Sequence, residues 1–120
     1  MELSFAEIGE DVRLLKLAGN LDLTGTLAVE VKVLACCGGG CPLVLVDLSG
    51  TRFVSSLGVR LLLQALKTVV GRGGRLLFLN ASAPVASVLE ISGLSAHAFR
   101  GSEAAAADAL RNSAGGQVLA

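Results

Sequence analysis

LVLVDLSGTRFVSSLGVRLLLQALKTVV, residues 43 to 70, is the stretch on which the fold turns. Its opening run, Leu43 to Val46, is apolar and stops at Asp47, as a short buried strand reads. A polar loop carrying Ser49, Gly50 and Thr51 is expected next, and Ser55-Ser56 then open a long amphipathic helix. Strand, loop and helix in that order bring a helix N-terminus to the surface, where unpaired N–H groups and a partial positive charge favour an anion. A hydroxyl stands at that position.

On a helical wheel of about 100° per residue, Val59, Leu62, Leu63, Leu66 and Val70 form the expected core stripe, while Arg60, Gln64 and Lys67 recur on another side. Leu57 and Leu61 then project opposite that stripe, one turn apart, beside the two serines. They are either scattered exposed leucines, which need no explanation, or the apolar centre of a docking patch. In the second reading Arg52, Arg60 and Gln64 supply its polar rim, and Asp22 counts as a further partner-binding residue. Leu61→Asp is then expected to leave folding nearly intact and to weaken binding, whereas Leu63→Asp should unfold the protein.

Working outward, residues 3–7 read as a short edge strand and 12–18 as its antiparallel partner, joined by Gly9-Glu10-Asp11. Asp22 or Thr24 can cap a helix reaching about Ala35, with Leu27, Val31 and Leu34 towards the core and Val29, Val33 and Cys36 on the far side. That far side is either covered by a loop or a contact face for another copy of the chain in a weak homodimer. Gly38 to Gly40 follow a helix and precede a strand, the reverse of a phosphate-binding loop. Beyond residue 70, Gly71 to Gly74 close the central helix, and residues 75–80 form a further buried strand. A helix entered at Ser82 or Ala83 with Pro84 ends at Gly93, a short strand covers 96–99, and Ser102 caps a last helix to about Arg111. Residues 112–120 are expected as a flexible tail after a domain spanning 1–111. The alternation predicts a single-domain α/β fold, a mixed sheet of about five strands packed by about four helices.

Composition narrows the function. Apolar residues make up 52% of 120, charged ones 17%, and no apolar stretch approaches the ~18 residues of a membrane span, so no direct membrane insertion is expected. Lys plus Arg and Asp plus Glu are ten each, and four Phe are the only aromatic residues, which argues against nucleic acid as a partner. No signal peptide is legible, which predicts the cytoplasm. Cys36, Cys37 and Cys41 sit in CCGGGC, too close for a disulfide framework and one ligand short of tetrahedral zinc. They read as buried or partly buried thiols, the alternative being a redox or metal role. No metal or other cofactor is expected. Neither the lone His97 nor Asp47 belongs to a catalytic constellation; Asp47 is expected to bond the backbone of the residues that follow it.

The stretch Asp47-Leu48-Ser49-Gly50-Thr51-Arg52-Phe53-Val54-Ser55-Ser56-Leu57-Gly58-Val59 resembles the signature of STAS domains of the anti-sigma factor antagonist family, D-L-S-x-x-x-F-[IVM]-D-S-[ST]-G-[LIV]. Gly19-Asn20-Leu21-Asp22 and Leu89-Glu90-Ile91-Ser92-Gly93-Leu94 are similar to two flanking motifs of that family. The resemblance implies a STAS fold without catalysis and aligns Ser56 with the phosphoacceptor, with Asp47, Ser49, Ser55 and Gly58 shaping the turn. It also implies partner switching, in which the unphosphorylated chain binds an anti-sigma factor that is itself a serine kinase. Ser55 stands where the family usually has Asp, and Leu57 where it usually has a second Ser or Thr. Ser caps a helix about as well as Asp but brings no charge. The alternative is a STAS scaffold that is not phosphorylated, in a stressosome-type assembly or as the cytoplasmic partner of an ABC lipid transporter.

Overall fold

The computed structural model describes residues 1–38, 40 and 43–113. β1 (Glu2–Ile8) and β2 (Val12–Leu21) form the antiparallel hairpin, turning at Gly9, whose φ is 70°. α1 (Leu23–Gly38), β3 (Leu43–Val54), α2 (Ser56–Gly71), β4 (Arg75–Leu79) and α3 (Ala83–Ile91) follow, then β5 (Ala98–Phe99) and α4 (Glu103–Ser113). The sheet order is β1-β2-β3-β4-β5, with every pair after the first parallel. Parallel neighbours require crossovers, and α1, α2 and α3 supply them. These three helices bury one face of the sheet over Leu15, Val44, Val46 and Phe78. α4 covers the other, with Ala106, Ala107 and Leu110 on Val12, Leu14, Leu45 and Leu79. This is the expected five-strand mixed sheet with four helices.

Both central strands run past their expected ends. β3 continues through Ser49, Gly50 and Thr51 to Val54, so the expected loop is strand, paired with β2 through two register shifts. Two residues explain it. Thr51 is buried and its hydroxyl donates to the Leu17 carbonyl at 2.8 Å, which satisfies a side chain that looked like loop polarity. Gly50 lets the strands close up, since a Cβ there would lie 3.0 Å from the Ala18 Cβ.

Helix orientation departs from the wheel in the first two crossover helices, α1 and α2. In α2 the buried side is Gly58, Leu61, Leu62, Ala65, Leu66 and Val69, and Val70 is 52% exposed. In α1 it is Gly25, Thr26, Val29, Val33 and Cys37, while Leu27 and Val31 are 57% and 77% exposed. The apolar periodicity was real, but the smallest residues set the contact. A Cβ on Gly25 would lie 2.0 Å from the Asn20 carbonyl oxygen and one on Gly58 2.7 Å from that of Leu21. Each helix therefore turns its glycine to the sheet and carries its large side chains round with it.

At the chain's far end Ala96 and His97 belong to a 3-10 turn, Ser95–His97, and only Ala98 and Phe99 pair with β4. Ser102 caps α4, accepting from the Ala105 N–H at 3.0 Å. α4 takes in residues 112 and 113, the first two of the expected tail; 114–120 lie outside the described residues. Arg111 ties α4 to the first hairpin, its Nε and Nη2 donating to the Asp11 carboxylate at 2.8 and 2.9 Å. Cys37 is buried and Cys36 half-buried, both free thiols, and burial pushes Cys37 up to about 11; Cys41 lies outside the described residues.

Candidate functional site

The N-termini of α1 and α2 meet at Leu21. Ser55 is the N-cap of α2, with extended backbone at φ −82° and ψ 175°. Its N–H and its hydroxyl both donate to the Leu21 carbonyl, at 2.9 and 2.7 Å, and its oxygen accepts from the Gly58 N–H at 3.2 Å. Asp22 caps the other helix, its Oδ1 accepting from the Gly25 N–H at 2.8 Å. The Leu21 carbonyl thus ties the start of α2 to the strand end that leads into α1, and the side chains of Ser55 and Asp22 each cap one of the two helices.

Ser56 is different. It is the first residue of α2, exposed, and its hydroxyl makes no hydrogen bond among the described residues. The first turns of a helix present N–H groups without intrahelical partners, so negative charge on Ser56 would sit where the α2 dipole favours it. Arg60, four residues on and exposed, lies on the same helical face. Arg52 and Gln64 are also exposed. Asp47 accepts from the Ser49 N–H at 2.9 Å, the backbone bond expected of it, although both residues lie in β3 and not in a loop. Gly58 is buried, its missing side chain being what lets α2 approach Leu21 and Val54.

Leu61 overturns part of the reading. It is 1% exposed, inside the core shared by α1, α2 and the sheet, so it cannot centre a docking patch. Leu57 is half-buried. The wheel misplaced them by about one residue, ~100°, because it weighed leucine and valine and gave Gly58 and Ala65 no vote. Large apolar side chains that do reach solvent near this end of the molecule are Leu23 and Leu27 on α1 and Phe53 at the end of β3. No apolar pattern singles them out; counting Gly25 and Thr26 as the contact side of α1 would have done so.

The family model described as "Mlab, STAS domain" matches residues 5–100. The chain belongs to the STAS domain family. Among solved structures it is similar to the anti-sigma factor antagonist SpoIIAA in its unphosphorylated form, at 23% identity and TM-score 0.81, covering 92% of this chain and 97% of that one. It is similar to the phosphorylated form of the Bacillus cell fate determinant SpoIIAA at 22% identity and TM-score 0.75, over 92% and 100%. A putative anti-sigma factor antagonist from Thermotoga maritima matches at 17% identity and TM-score 0.80, over 91% and 94%. At these identities the likeness is one of fold. By sequence, no curated protein matches the chain.

Proposed function

We propose that the chain is a non-catalytic partner-switching module of the cytoplasm, an anti-sigma factor antagonist that binds an anti-sigma serine kinase and is released when that kinase phosphorylates Ser56. The observation that carries this is the division of labour between adjacent serines. Ser55 uses its hydroxyl twice in holding the turn, and a phosphoryl group there would remove the O–H that donates to the Leu21 carbonyl, whereas Ser56 is exposed with its hydroxyl uncommitted among the described residues. A phosphoryl group of about −1.5 to −2 charge at a helix N-terminus is tolerated by the fold, yet it adds a hydrated dianion to any surface that packs there. Arg52, Arg60 and Gln64 are the polar contacts, with Leu57 and Asp22 beside them. Incubation with the cognate kinase and ATP, followed by mass-spectrometric mapping, tests the proposal. Phosphate on Ser56 is expected, and phosphate confined to Ser55 or Ser49, or none, overturns it.

A second reading, a STAS module that binds constitutively, is favoured by one observation: the matching family model is of the Mlab type. The neutral Ser55 in place of an acid fits it as well. The partner is then an ABC lipid transporter, met on its cytoplasmic side, or a stressosome-type scaffold assembly. Co-purification that is indifferent to Ser56→Ala and Ser56→Asp alike supports this reading against the first.

A further inference from the structure

Among the described residues β5 is the last strand of the sheet, and one of its edges has no neighbouring strand there. The Phe99 carbonyl accepts from the Asn80 N–H at 2.8 Å, towards β4. Backbone groups of successive residues point to alternate edges, so those of Ala98 and Arg100 face outward. The Ala98 N–H is taken by the Ser95 carbonyl. The Ala98 carbonyl and the Arg100 N–H remain on the open edge.

Beside that edge, between β5 and α3, lies a cavity of about 270 Å³ with Ala86, Leu89 and Phe99 among its walls. Its charges are opposite in sign and placed at opposite ends. Glu90 marks the C-terminal end of α3, and Arg100 marks the end where α3 begins, its Nη2 donating to the Ala81 carbonyl at 3.1 Å. Neither enters an ion pair among the described residues, and Arg100 keeps further donors. The ladder stops at this point: Gly101, at φ 147°, turns the chain away, its N–H donating to Asn80 Oδ1 at 2.9 Å and its carbonyl accepting from Asn80 Nδ2 at 2.8 Å.

We propose that this groove receives the C-terminal end of a partner polypeptide, added to the sheet parallel to β5. The terminal carboxylate meets the Arg100 guanidinium, a small apolar side chain lies over Ala86 and Leu89, and a basic side chain a few residues earlier meets Glu90. Main-chain bonds to an edge strand give affinity in this mode of recognition, and side-chain pockets and carboxylate capture give specificity. This site is independent of Ser56.

The test uses the full chain and a fluorescein-labelled probe, Gly-Ser-Lys-Thr-Val-Ala with a free carboxylate, read by fluorescence anisotropy and by backbone amide resonances. Saturable binding that moves Ala98 and Arg100 resonances is expected, weakened about tenfold or more by amidating the probe, as loss of a charged hydrogen-bonding pair does. Arg100→Gln should do the same. Because Arg100 also supports Ala81, the second variant is Glu90→Lys at an exposed position: it should reject this probe and accept one with Glu in place of Lys. Absence of saturation up to millimolar probe, equal binding of the amide, or resonance changes confined elsewhere overturns the proposal. So does free alanine shifting the same resonances as strongly as the peptide, which would make the cavity a small-molecule site.

Discussion

α1 and α2 are two solutions to one packing problem, and their outer faces differ. Each lies on the same side of the sheet and presses a glycine against a strand-end carbonyl, Gly25 on Asn20 and Gly58 on Leu21. α2 then shows water Arg60, Gln64 and Lys67, the polar face of an ordinary amphipathic helix. α1 shows water Leu23, Leu27 and Val31, spaced four apart, and among its exposed residues Lys32 is the sole charge, Glu30 being half-buried. Two helices of equal length in one sheet layer therefore have opposite outer characters. The difference teaches that the inner face was chosen by close approach, and that hydrophobicity alone decided neither outer face.

The largest effect expected from this comparison is at Leu61. Leu61→Asp places an unpaired carboxylate in the core and should cost about 3–5 kcal/mol or unfold the chain outright, whereas Val31→Asp on the outer face of α1 should stay within about 0.5 kcal/mol. Urea melts decide it, and equal destabilisation of the two would break the comparison. Next comes close approach itself. Gly58→Ala and Gly25→Ala should each destabilise by about 1–3 kcal/mol through forced backbone shifts, while Gly71→Ala, where an added Cβ meets nothing within 4 Å, should not. Smaller again is the division between the serines: Ser55→Ala should lose about 1 kcal/mol of cap stability and Ser56→Ala almost none. A cost at Ser56 matching that at Ser55 would mean that its hydroxyl is structural.

The smallest effect lies on the other face, where α4 is held by a polar tie. Arg111, hydrogen-bonded to Asp11, holds the Asp11 carboxyl below the usual carboxylate range. A depressed folded-state value contributes stability that is present above the unfolded value of about 3.9 and is lost as pH falls through the folded one. Asp11→Asn should therefore flatten a shallow acid-side slope in thermal stability below about pH 4 and leave neutral-pH behaviour of α1 and α2 untouched. A circular-dichroism melt series across acid pH measures it.

Much of the fold was legible because it rests on local rules. The hairpin turn at Gly9, the caps Ser55 and Ser102 and the strand-helix alternation each follow from a few neighbouring residues. The adjacent-serine arrangement was legible for the same reason, since capping is decided within one turn. What failed depended on contacts between segments distant in sequence. Thr51 reads as loop until Leu17 offers its carbonyl 34 residues away, and Leu61 reads as surface until Gly58 is seen to need the space beside Leu21.

By itself, then, the chain's sequence determined the order of elements, the helix starts and the serine placed first in α2, because backbone capping and apolar period are short-range properties. Only the tertiary structure decided which way α1 and α2 are rotated, and with that which leucines are core and which are surface. The physical reason is steric. Apolar side chains on both sides of a helix can be buried about equally well, so burial energy leaves its rotation open, and the atoms that cannot interpenetrate, at Gly25 and Gly58, choose.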